Sequence, residues 1–78
     1  MVFKRIQAII SSQLNIPENE LTPHTSFRRH LNVDSLDVFQ IIMEIEREFD
    51  VDIPAHKIKH IKNIEDIVEY IKLQKGLD

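Results

Sequence analysis

An all-α fold is predicted by the sequence: a four-helix bundle of three longer helices and one short helix, with a long loop between helices 1 and 2. Three observations carry the prediction. Apolar residues recur at three- and four-residue spacing in three separate runs. Prolines and turn-forming residues interrupt those runs at Pro17, Pro23 and Pro54. The chain has 78 residues and one glycine, which suits one compact domain over residues 1–78 and leaves no room for a separate catalytic domain.

Residues 2 to 14 form the first predicted helix, because Phe3, Ile6, Ile10 and Leu14 make a core stripe while Lys4, Arg5, Gln7 and Gln13 fall on or near the solvated side. Two prolines then open a loop that runs to Val33. A loop of this length is usually functional or pinned by inserted side chains, and Ile16, Leu21, Phe27 and Leu31 are the candidates to plug it into the bundle.

The second helix is predicted from Asp34 to about Asp50. Asp34 is a good N-cap, and Asp37 three residues on varies the capping-box spacing. At 100° per residue, Asp37, Gln40, Glu44, Arg47 and Glu48 form a polar arc, and Val38, Ile41, Ile42, Ile45 and Phe49 cluster in the middle of the apolar one. Leu36, Phe39 and Met43 form a second stripe on one flank, with Glu46 and Asp50 among them. Periodicity leaves two readings open: wide burial between neighbours, or a docking strip of apolar anchors edged with carboxylates.

Val51-Asp52-Ile53-Pro54 ends this helix, and Pro54 can stand in the first turn of a short third helix within residues 55 to 62. There basic residues alternate with Ile58 and Ile61. His56 and His60 have i, i+4 spacing, but no third metal ligand is evident, so no metal is assigned. A solvated face is the default for the basic stretch, ahead of contact with a membrane surface or an acidic partner. Asn63 with Asp66 caps a last helix whose core stripe is Ile64, Ile67, Val68 and Ile71, and Gly76 stops it. The chain has thirteen isoleucines, only moderate helix formers, so tertiary packing must hold these helices.

Function is bounded by composition. A formal net charge of −3 argues against nucleic-acid binding, which needs a basic footprint. The absence of cysteine fits a reducing cytosol and leaves no thiolate nucleophile. No apolar run is long enough for stable membrane insertion, and Lys4, Arg5 and Gln7 interrupt any signal-peptide core. A calcium loop from Asn32 fails, since its sixth position is not glycine and its twelfth is Met43.

Ser35 opens the second helix, where free backbone N–H groups and the positive end of the helix dipole favour a phosphate ester on its hydroxyl. Attachment suits this serine better than catalysis, because His30 is the only local imidazole and nothing in the sequence fixes its position. No residue is assigned a catalytic role.

The Asp34-Ser35-Leu36 triplet, with Phe27 and Leu31 ahead of it, the Leu36-to-Asp50 run behind it and the Phe49-Asp50-x-x-Ile53-Pro54 exit, strongly resembles the acyl carrier proteins. The resemblance extends from about Ile6 to Ile71. It implies a free-standing, non-enzymatic carrier with a 4′-phosphopantetheine arm on Ser35, added from coenzyme A by a phosphopantetheinyl transferase (a holo-acyl-carrier synthase). It also implies partner enzymes such as ketosynthases, acyltransferases and reductases, in fatty acid biosynthesis or a specialised lipid pathway, and docking through Asp34, Leu36, Asp37, Phe39, Met43 and Glu46. A cytoplasmic monomer is the natural expectation. Many members have glycine where this chain has Asn32, the next most tolerant residue of positive φ. Gln40 and Arg47 replace positions commonly acidic, and Arg28, Arg29 and His30 add positive charge ahead of the serine, which weighs toward a dedicated partner set. Two alternatives stay open: a carrier of polyketide or D-alanyl intermediates, and a noncovalent interaction module whose serine is unmodified.

Overall fold

The computed structural model describes residues 2–76. Helices α1 (Val2–Leu14), α2 (Ser35–Phe49), α3 (Ala55–Ile58) and α4 (Ile64–Lys75) follow in order, with a 3₁₀ turn at Glu18–Glu20 inside the long loop. The all-α architecture of three longer helices and one short one is therefore present, and among the described residues the only strand-like pairing is an isolated antiparallel bridge between Ser26 and Asn63. No helix among the described residues is long and apolar enough to cross a membrane.

Helix α1 packs against both α2 and α4. Ile6 and Ile10 from α1, Ile41, Ile42 and Ile45 from α2, and Ile64, Ile67 and Ile71 from α4 are fully buried together with Leu21 from the loop. The stiffness at χ1 that lowers isoleucine's helix propensity becomes an advantage in such a core, since less rotamer freedom is lost on packing. Phe3 and Leu14, at the two ends of the predicted α1 stripe, are only partly buried against this core.

Gln7 departs from the sequence expectation. Its side chain is buried and not solvated, and its amide Nε2 donates to the carbonyls of Glu18 at 2.7 Å and Leu21 at 2.9 Å. The cause lies outside α1: the 3₁₀ turn folds over the helix and presents two carbonyls that only a long donor can reach. Helical periodicity has no means of signalling a loop that returns from farther along the chain.

The loop is fastened at three levels. Leu21 and Phe27 are buried, with Ile16 and Leu31 partly so, as the plugging residues were expected to be. Thr25 is buried and its Oγ1 accepts the Thr22 N–H at 2.8 Å. A seam then joins the loop to the start of α4, where Phe27 N–H donates to Lys62 O (3.1 Å), Ile64 N–H to Thr25 O (3.1 Å) and Glu65 N–H to Pro23 O (2.8 Å).

Helix α3 is shorter than the 55 to 62 stretch allowed. Pro54 sits at its cap position and not inside its first turn, and the chain leaves the helix after Ile58 through bonds from His60 N–H to Lys57 O and Ile61 N–H to Ile58 O. Ile58 and Ile61 still turn toward the core. Helix α4 begins with a complete Asn63/Asp66 capping box and ends on Gly76 in the left-handed region (φ 66°).

Two expected outcomes follow from this packing. Ile45→Ala, at a site with no solvent exposure, should cost about 2–5 kcal/mol in urea denaturation. Gln7→Leu should cost about 1–3 kcal/mol by stranding the buried Leu21 carbonyl, while the Glu18 carbonyl keeps the bond from Leu21 N–H; Gln13→Leu on the exposed side of the same helix should stay within about 0.5 kcal/mol.

Candidate functional site

The site is built at the N-terminus of α2. Asp34 is extended (φ −91°, ψ −180°), and its Oδ1 accepts the Asp37 N–H at 3.0 Å while its carbonyl accepts the Val38 N–H at 3.1 Å. These bonds leave the two intervening donors, the Ser35 and Leu36 N–H groups, with no acceptor among the described residues. Helix α4 has the same N-cap bond to its third N–H, with the reciprocal bond from Asp66 in addition, and the opposite outcome. There Thr25 O takes the first N–H, Pro23 O the second and Asn63 Oδ1 the third. One helix start is closed by the loop, and the other is left open beside an exposed serine.

The chain reaches that open start through a defined turn. Asn32 has φ 52°, a left-handed conformation that asparagine tolerates better than other non-glycine residues, and Val33 N–H donates back to Phe27 O at 3.2 Å. His30, whose position nothing in the sequence fixes, is held by a bond within its own loop: its Nδ1 accepts the Ser26 N–H at 2.7 Å.

Of the residues assigned to docking, Leu36, Phe39 and Met43 are 65%, 43% and 57% exposed, so the flank stripe is a wet apolar strip and not a second buried face. Asp34 and Asp37 stand at its upper end. Glu46 is half-buried, and its Oε2 accepts the Ile53 N–H at 2.7 Å, fastening the turn between α2 and α3 alongside Asp50 in the left-handed region (φ 55°). No sequence rule links Glu46 with a residue seven positions on, so this bond was not visible beforehand.

The family of the phosphopantetheine attachment site matches residues 4–71, and an acyl carrier protein of Helicobacter pylori strain J99 is 40% identical over 74 residues, 95% of each chain. The chain belongs to the acyl carrier protein family. An acyl carrier protein of Helicobacter hepaticus is 37% identical over 73 residues, 94% of this chain and 96% of that one. A solved structure described as a candidate acyl carrier protein from Mycobacterium tuberculosis superposes with a TM-score of 0.86 at 28% identity, covering 95% of this chain and 99% of its own. Acyl carrier proteins are carriers and not enzymes, they bear a covalent 4′-phosphopantetheine, and their family implies contact with a phosphopantetheinyl transferase and with acyl-processing enzymes.

The residues at the start of α2 fit such a group. A phosphodiester needs a reachable hydroxyl, donors for its free oxygens and no competing side chain over them. Ser35 is exposed, two N–H donors at the positive end of a 15-residue helix are open, and the Asp34 carboxylate is turned to Asp37.

Removing the cap tests this local architecture. Asp34→Ala should cost about 1 kcal/mol of stability in urea denaturation, with Asp34→Asn recovering most of it. Glu46→Ala should cost about 1–2 kcal/mol and Glu46→Gln less, since the amide oxygen keeps an acceptor for Ile53.

Proposed function

We propose that Ser35 is the attachment point of 4′-phosphopantetheine and that residues 1–78 form a single acyl-carrier domain serving fatty acid biosynthesis or a specialised lipid pathway. The observation that carries the proposal is the pair of open N–H donors beside the exposed Ser35 hydroxyl, set against the closed start of α4. When bound, the group supplies a terminal thiol that holds acyl chains as thioesters. The chain's own residues do the rest: Ser35 Oγ provides the ester oxygen, the Ser35 and Leu36 N–H groups receive the phosphodiester oxygens, and Asp34 keeps the helix start wound beneath them. No proton has to be held or moved by this protein once the ester exists.

Delivery rests on the strip along α2. Leu36, Phe39 and Met43 offer apolar anchors on a rigid helix, with Asp34 and Asp37 at its upper edge and Glu46 beside it. Docking there raises the effective concentration of the tethered thioester at a partner's active site. The partners in this reading are a phosphopantetheinyl transferase and enzymes such as ketosynthases, acyltransferases and reductases, met by a monomer in the cytoplasm. Gln40 and Arg47 on the neighbouring arc, with Arg47 paired to Glu44 at 3.0 Å, make this helix less negative and favour a dedicated partner set.

Intact-protein mass spectrometry tests the attachment. Incubation with coenzyme A, Mg²⁺ and a broad-specificity transferase should add one phosphopantetheine to the wild type and none to Ser35→Ala. An unmodified wild type, or an adduct on the alanine variant, would refute the assignment. For docking, Phe39→Ala and Met43→Ala should each lower a partner's kcat/KM by about tenfold while leaving the thermal melt nearly unchanged, because both side chains are largely outside the core.

A further inference from the structure

The seam between the loop and α4 brings together two basic segments that are far apart in the sequence. Phe27 N–H bonds to Lys62 O at 3.1 Å and Ser26 pairs with Asn63, so Arg28 and Arg29 follow directly on one side of the junction and Lys57, Lys59 and Lys62 precede it on the other. All five cations are exposed, with His30, His56 and His60 interspersed and also exposed. Among the described residues the ion pairs are Arg5 with Glu48, His24 with Glu65 and Arg47 with Glu44, so none of these five has a carboxylate partner. The acids at the adjoining start of α4 are otherwise engaged: Asp66 accepts the Lys62 and Asn63 N–H groups, and Glu65 faces His24.

We propose that this basic face docks on a phospholipid surface rich in anionic headgroups. A protein partner would be expected to need an apolar anchor, the usual centre of a stable interface. Among the described residues the large exposed apolar side chains are Leu36, Phe39, Met43 and Leu73, and none lies in residues 24–32 or 54–63. Unpaired Lys and Arg without an anchor are what a headgroup layer requires, and clusters of four to eight of them are the usual lipid-binding footprint. With a net charge of −3 the attraction depends on orientation, and the face that carries these five exposed cations is the one drawn to an anionic surface.

The test is flotation of the full chain with mixed phosphatidylglycerol and phosphatidylcholine vesicles, against phosphatidylcholine alone. Binding to the anionic vesicles only, released by high salt, is expected. The triple variant Arg28→Glu, Arg29→Glu, Lys59→Glu should bind at least about tenfold more weakly. Lys4→Glu, Lys72→Glu, Lys75→Glu, which changes the net charge equally, should bind nearly as the wild type does, and circular dichroism should show both variants folded. Ser35→Ala should also float like the wild type, so failure of the attachment assignment would leave this proposal standing. No binding by the wild type, retained binding by the first variant, equal loss in both, or a preference for duplex DNA or an acidic protein over the vesicles would each overturn it.

Discussion

Three hydrogen bonds between residues 23–27 and 62–65 set the geometry on which the rest of this protein depends. They satisfy the first donors of α4, hold Phe27 in the core, and fix where the loop must turn to enter α2. The effects meet in Phe27, which carries both a buried ring and the N–H that bonds Lys62 O. A domain this small gains only a modest margin from its core, so bonds that serve the core and the loop at once carry disproportionate weight.

That seam also explains why two helices with similar N-cap bonds start differently. At both, the Asp34 or Asn63 side chain satisfies the third N–H, and something else must deal with the first two. At α4 the loop supplies carbonyls. At α2 the loop supplies none, and the chain enters the helix through Asn32 in the left-handed region. Whether the first donors of a helix are met is therefore decided here by where the loop's carbonyls fall, and Ser35 is the one serine that opens a helix.

Helix existence, the caps at Asp34 and Asn63 and the stop at Gly76 were all legible in the sequence, because each depends on residues within a few positions of one another. For Leu36, Phe39 and Met43 periodicity left wide burial and an exposed strip both open, and the left-handed turn at Asn32 was expected only through the family resemblance. What the sequence did not disclose were contacts that no helical or capping pattern encodes: Gln7 reaching the 3₁₀ turn, Glu46 holding Ile53, the seam itself and, within the loop, His30 receiving the Ser26 N–H. Gln7 is instructive because local reasoning placed it on the solvated side, and only the return of a distant loop buries it. Helix α3 also ends early, at Ile58, and Ile61 packs against the core from the turn that follows.

One property of the seam bears on which substitutions it tolerates. Its bonds run between main-chain atoms, with Ile64 and Glu65 donating and Lys62 accepting, so exchanging those side chains leaves the donors and acceptor in place. Proline is ordinarily accepted in the first turn of a helix, where its missing N–H goes unnoticed. In place of Ile64 or Glu65 it would remove a donor that the loop uses, and the path into α2 would loosen with it.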